Sequence, residues 1–164
     1  MRRALVVTGV AVLALAAPAA AGLPRGGTLV PGRSLGGVRL GQSQRAVRAA
    51  LGTFYGVCTD CARPTWYFTY GRFDKHGLAV EFSGGSVSAV YTLWQPGGWH
   101  ASDGLRLGAA EAVVQKRVGF LRTITCPGYD ALVADGPHAR TAYYVFQGSL
   151  WGFGLFRRGA APCR

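Results

Sequence analysis

Two stretches of this chain are written to nearly the same pattern, and that repetition limits the folds open to it. Residues 36–52 read GGVRLGQSQRAVRAALG and residues 104–119 read GLRLGAAEAVVQKRVG. A shift of 67 positions lays Gly37 on Gly104, Arg39 on Arg106, Leu40 on Leu107, Gly41 on Gly108, Val47 on Val114 and Gly52 on Gly119. Self-similarity at a fixed period points to one supersecondary unit used twice. Each copy reads as a short extended piece, a glycine turn and a brief helix. In the first, Ser43 is the expected N-cap, Val47, Ala50 and Leu51 share a face, and Gly52 stops the helix. In the second, Val113, Val114 and Val118 form the stripe and Gly119 the stop. Helices this short are not stable alone, so each must lay its stripe on something else.

Strand-like runs follow. After the first helix come TWYFTY at 65–70, GLAVEF at 77–82 and SVSAVYTLW at 86–94, joined by the turns GRFDKH and Ser83-Gly84-Gly85. Strict alternation assigns Trp66, Phe68, Tyr70, Leu78, Val80, Phe82, Val87, Ala89, Tyr91 and Leu93 to the core face. The other face receives Tyr67, Thr69, Glu81, Ser83, Ser88, Thr92 and Trp94. The second half repeats the plan less cleanly, with an extended or irregular piece at 126–133, then TAYYVFQ at 141–147 and LWGFGLF at 150–156. The expected fold class is therefore α+β: two tandem helix-plus-antiparallel-strand repeats forming one sheet, with both short helices on one face. In that division residues 1–21 are a leader, 22–34 a flexible Gly/Pro-rich lead-in with Leu29-Val30 as an edge strand, and 35–95 the first repeat. Residues 96–103 are a linker and 104–164 the second repeat, the two repeats sharing one domain.

The compartment follows from the first residues. Arg2 and Arg3 precede an apolar run over residues 4–17, too short for a bilayer span, and Ala19 and Ala21 form a small-x-small pair. This is the pattern of a signal peptide cleaved after Ala21; left uncleaved, it would be an N-terminal anchor. The expected location is secreted or extracytoplasmic, with no membrane span once the leader is gone. The remaining residues suffice for one domain of ordinary size. Cys58, Cys61, Cys126 and Cys163 are an even count in an exported chain, the usual sign of two disulfides. Three connectivities exist on paper, and the economical one joins Cys58 to Cys61 and Cys126 to Cys163.

The opening pattern, the aromatic strand, GLAVEF and the SVSAVYTL strand after a Gly-Gly turn together resemble exported tandem-repeat proteins of the β-lactamase-inhibitory-protein type. More distantly they resemble the small outer-membrane assembly lipoproteins, although no lipid-acceptor cysteine stands at the cleavage site. The likeness spans about residues 35–158. It implies two helix-plus-sheet repeats making one curved sheet, disulfides within each repeat, and a binding module rather than an enzyme. In the inhibitor type an acidic residue on a hairpin loop and aromatics on the exposed sheet face make the contact. The comparable loop here is GRFDKHG with Asp74 at its tip, though turn geometry alone also accounts for an Asp there.

Catalytic and metal chemistry find little support. Cys58-Thr-Asp-Cys61 leads into a strand rather than a helix N-terminus, so the support a redox pair needs is missing, and no second half-site completes a zinc center. His76, His100 and His138 sit in turns; His100, Ser102 and Asp103 are sequence neighbors, which rarely assemble a triad. The seven acidic residues are scattered singly. No cofactor and no metal are expected. The formal net charge is +11, but no basic run exceeds two residues, so nucleic acid is not implied. What remains is an aromatic recognition surface of Tyr67, Trp94, Trp99 and Tyr143, with Asp74 in the hairpin. The leading expectation is a secreted non-catalytic module that binds another protein through its sheet face and hairpin loops. The alternatives are an envelope protein binding anionic surface polymers through its arginines, and a secreted enzyme.

Overall fold

The computed structural model describes residues 22–119 and 121–164; the expected leader over residues 1–21 lies outside them. Among the described residues are two sheets and two short helices. The order is β1 (Gly27–Val30), β2 (Ser34–Leu35), α1 (Gln44–Leu51), β3 (Gly56–Cys58), β4 (Thr65–Thr69), β5 (Gly77–Ser83), β6 (Ser86–Leu93) and β7 (Trp99–Ala101). It continues with α2 (Glu111–Val118), β8 (Arg122–Cys126), β9 (Tyr129–Asp135), β10 (Ala139–Phe146) and β11 (Ser149–Arg157). Eight strands form one sheet in the order β3-β4-β5-β6-β11-β10-β9-β8, antiparallel throughout. The second half of the chain thus joins the first through its last strand, and β3 and β8 are left as the edges.

A single sheet was the expectation, and the structure corrects it. A second sheet, β2-β1-β7, is built from the segments read as lead-in and linker. β1 is its central strand, antiparallel to β2 and parallel to β7, and both Leu29 and Trp99 are buried. Gly27 and Gly36 permit this close packing: a Cβ on either would meet the Trp99 ring, at 2.6 and 2.7 Å.

The helices form as their local sequences dictate. Ser43 Oγ accepts a hydrogen bond from Ala46 N–H at 3.3 Å, and the Gly52 N–H donates to Arg48 O at 2.9 Å. α2 has no side-chain cap, Ala110 standing at its N-cap, but Gly119 closes it in the same way. The glycine before each helix ties it to the sheet. Gly41 N–H donates to Val87 O at 2.8 Å and Gly108 N–H to Leu150 O at 2.7 Å, each from a backbone with positive φ (81° and 88°). Leu150 N–H and Val87 N–H return bonds to Ala109 O and Gln42 O at 2.7 and 2.9 Å. Val47, Leu51 and Val114 then pack, with Leu29, Leu35 and Trp99, on Phe68, Leu78, Val80, Val90, Tyr143, Phe153 and Leu155 of the large sheet. Val113, expected in the stripe, is 44 % exposed.

A bulge corrects the alternation expected in β6. Glu81 lies opposite Ala89 but Phe82 lies opposite Val87, leaving Ser88 as the extra residue. Val87 and Val90 therefore stay with Phe82 and Val80 beneath the helices, while Ala89, Tyr91 and Leu93 turn to the other face.

That other face carries a second cluster, of Ala79, Ala89, Tyr91, Ala131, Val133, Ala142, Tyr144 and Phe156. Gly154 belongs here for a steric reason: a Cβ would lie 2.7 Å from Tyr144 Oη and collide with the Phe156 ring. The two disulfides are Cys58–Cys61 and Cys126–Cys163, the economical pairing, and the second draws residues 158–164 back across this face. Among the described residues no helix is long and apolar enough to cross a membrane.

Candidate functional site

The hairpin turns of β4-β5 and β10-β11, with the chain leaving β6, meet at one end of the large sheet, where an aromatic ridge stands in solvent. Trp94, just past β6, is 49 % exposed and packs edge-on against Trp151 of β11 at 5.9 Å between centroids. Trp151 in turn meets Phe146 at 6.2 Å and Tyr129 at 5.8 Å. Phe146 is 44 % exposed, and Phe73, at the tip of the β4-β5 hairpin, is 95 % exposed. Lys75 Nζ sits 4.2 Å from the Trp94 ring, close enough for a cation–π contact.

Trp94 holds its place at a conformational cost. Its φ is +56°, a region a bulky L-residue rarely enters. Holding such a backbone costs on the order of 1–3 kcal/mol. Glycine would relieve it.

Behind the ridge the second sheet face holds two clefts on either side of Arg164. One, of about 320 Å³, is lined by Cys61, Arg63, Thr65, Tyr67, Glu81 and Tyr91. The other, of about 290 Å³, lies among Tyr67, Tyr91, Trp94, Tyr129, Tyr144 and Trp151. Glu81, only 5 % exposed, receives Arg164 in a bidentate pair, Nε on Oε1 and Nη2 on Oε2, with Arg63 Nη1 3.5 Å from Oε2. Burial opposes the Arg164 charge, but the hydrogen bonds and charge of Glu81 outweigh it and hold the guanidinium above its ordinary value. The same guanidinium lies over the rings of Phe156 and Tyr91 at 5.0 and 5.7 Å. Burial, reinforced by Glu81, pushes the Tyr91 hydroxyl far above its ordinary value, so it stays protonated.

The nominated residues separate into two groups. Tyr67 and Trp94 both line the cleft of about 290 Å³. Trp99 and Tyr143 are 2 % and 0 % exposed, and as packed they reach no partner. Trp99 lies in β7 and donates through Nε1 to Tyr70 Oη at 2.7 Å. Tyr143 faces Leu132 and Phe153 in the helix-covered cluster, and its hydroxyl is buried without a partner among the described residues. Asp74 is tied to its own turn, its side chain 34 % exposed. Its Oδ1 accepts from His76 N–H at 2.9 Å and pairs with His76 Nδ1 at 2.7 Å, bonds that hold its carboxyl below the ordinary range. The tip therefore presents Phe73, not the acid.

Sequence reasoning did not nominate Phe73, Glu81, Arg164, Tyr91, Tyr129 or Trp151 for the site. The exposed Phe73 was findable, since an aromatic between Arg72 and Asp74 in a turn has no core to enter. The Glu81–Arg164 pair spans 83 positions and leaves no local signal.

His100 and Asp103, neighbors in sequence, are each engaged elsewhere. Asp103 Oδ1 accepts from Leu105 N–H at 3.0 Å and His100 Nε2 lies 3.3 Å from Thr28 Oγ1, so both serve turns and the small sheet. Among the described residues no three His, Cys, Asp or Glu side chains converge as a metal site.

No known family matches the chain. No curated protein sequence matches it either. Solved structures do share its fold. A DUF4309 family protein, YjgB, from Bacillus subtilis is 17 % identical, with a TM-score of 0.51 over 71 % of this chain and 79 % of that one. The uncharacterized protein yfeY from Escherichia coli is 14 % identical, with a TM-score of 0.52 over 79 % of this chain and 99 % of that one. An extracellular protein containing a SCP domain, from Bacillus anthracis, is 9 % identical, with a TM-score of 0.50 over 73 % of this chain and 44 % of its own length. At these identities the likeness is one of fold.

Proposed function

We propose that the chain is an extracytoplasmic, non-catalytic binding module that engages another protein through the aromatic ridge of Phe73, Trp94, Trp151 and Phe146. The observation that carries this reading is Trp94, half exposed and held at φ +56°. A backbone that would relax with glycine keeps a tryptophan in solvent, and strain retained at an exposed aromatic favors recognition over packing. Exposed rings at Phe73, Trp94 and Phe146, with half-buried Trp151 between the last two, suit a protein surface better than a small ligand, since the clefts beside them are open. Two disulfides and the leader-like pattern of residues 1–21 support an oxidizing, extracytoplasmic setting. Inhibitor-like recognition is a finer form of the same reading, with Phe73 taking the place expected of Asp74 at the hairpin tip.

The test is capture of a partner from culture supernatant by the mature protein, compared with Phe73→Ala/Trp94→Ala. The double variant should retain at least tenfold less of the captured protein at moderate salt; equal retention overturns the ridge as the interface. A second reading has Arg72 and Lys75, flanking the ridge, holding an anionic surface polymer. Salt separates the two, because polymer binding collapses as exposed charges are screened while an apolar interface persists.

A further inference from the structure

Beyond β11 the chain turns at residues 158–159 and crosses the second sheet face without joining any ladder. What holds it there is a set of side chains. Arg140 Nη1 donates to Ala160 O at 2.6 Å, Tyr144 Oη to Pro162 O at 2.9 Å, and Tyr129 Oη to Arg164 O at 2.8 Å. The Tyr129 hydroxyl also accepts from Arg164 N–H at 2.7 Å. The carbonyls that the sheet face binds belong to residues 160, 162 and 164, while those of Ala161 and Cys163 accept from Arg164 Nη1 at 2.8 and 2.6 Å, so the guanidinium also braces the segment's own backbone. The side chain of Arg164 then enters a pocket made by the Glu81 carboxylate and the rings of Tyr91 and Phe156. Pro162 is buried and the Arg164 side chain only 20 % exposed.

Backbone bonds that ignore sequence, combined with one side-chain pocket that reads it, are the parts from which peptide receptors are made. We infer that the second sheet face is a groove for extended peptide segments carrying an arginine, filled in cis by residues 158–164. The cation site is built rather than incidental. Glu81 presents two oxygens to a planar fork, which a guanidinium matches and an ammonium does not. The Cys126–Cys163 bond fixes the occupant one residue from the pocket, so a peptide from another molecule competes against a tethered rival at high effective concentration. The groove borders the ridge along the cleft that Trp94, Trp151 and Tyr129 share with Arg164, but its cation pocket at Glu81 involves no ridge ring, so neither reading depends on the other.

The probe is a fluorescein-labeled peptide copying residues 159–164 with serine at the position of Cys163. It is titrated into the wild-type protein and into Cys126→Ser/Cys163→Ser, whose occupant is untethered. Saturable binding to the variant should be at least tenfold tighter than to wild type. It should weaken at least tenfold when the peptide's arginine is replaced by alanine, or when Glu81→Gln is added to the variant. Binding equal in wild type and variant, undetectable in both, or indifferent to arginine and Glu81 overturns the inference. Should the cysteine variant fail to fold by near-UV circular dichroism, Arg164→Ala with both disulfides intact takes its place. Millimolar methylguanidinium should then raise its Tm by several degrees where methylammonium does not, and the effect should vanish in Arg164→Ala/Glu81→Gln. Equal shifts with the two cations refute the guanidinium pocket.

Discussion

The two faces of the large sheet are closed by different means. On one, helices α1 and α2 and the small sheet lay Val47, Leu51, Val114, Leu29 and Trp99 on Phe68, Leu78, Val90 and Phe153, an interior dominated by apolar contacts. On the other, seven residues lie over Tyr91, Tyr144 and Phe156, held by tyrosine hydroxyls, Arg140, one ion pair and a disulfide. The first kind of closure is continuous and gains from every square ångström of area removed from water. The second rests on a few separable contacts. The two faces of this fold therefore answer to different chemistry, so each can be altered while the other is watched.

The largest effect should come from the apolar face. Phe68→Ala removes a fully buried ring and is expected to cost about 4 kcal/mol, read by urea denaturation. Breaking the tether on the opposite face comes next. Cys126→Ser/Cys163→Ser opens a ring of sequence separation 37, worth about 3 to 4 kcal/mol by loop-closure entropy, whereas Cys58→Ser/Cys61→Ser opens a separation of 3 and loses about 2. Equal losses for the two bonds would erase the distinction between a long staple and a local one.

Arg164→Ala leaves the Glu81 carboxylate buried with only Arg63 at 3.5 Å, and should cost about 3 kcal/mol, the lower end of the range for breaking a buried pair. The smallest effect belongs to Tyr143→Phe. It deletes a buried hydroxyl that has no partner among the described residues and should change stability by less than about 0.5 kcal/mol, or raise it. A loss above about 1 kcal/mol would mean that the hydroxyl is satisfied by buried water.

Local chemistry was the legible part of this molecule. Ser43 as a cap, Gly52 and Gly119 as stops, the hairpin at Ser83-Gly84-Gly85 and the pairing of the four cysteines all follow from residues close in sequence or from economy. The misplacements have physical causes as definite. One extra residue at Ser88 inverted the parity of Ala89, Tyr91 and Leu93, and alternation carries no mark of a bulge. Trp99 lies in a Gly/Pro-rich segment that composition reads as a linker, and Leu29-Val30, expected as an edge strand, is the central strand β1 because β7 pairs with it across 72 positions. Tyr143 was misassigned because TAYYVF is apolar on both parities, as a strand covered on both faces must be. The site suffered most. Glu81 with Arg164, and Trp94 with Trp151, are contacts between halves of the chain, which only the joining of β6 to β11 creates.

Whether one face carries the fold while the other is closed by a separable segment can be read from native-state hydrogen exchange on wild type and Arg164→Ala. Residues 158–164 should exchange through a local opening, far faster than the strands and faster still in the variant, while amides of β5, β6, β10 and β11 lose no more protection than the fall in global stability accounts for. Equal opening free energies for the segment and for those strands would contradict this, because the segment would then open only with the core it covers.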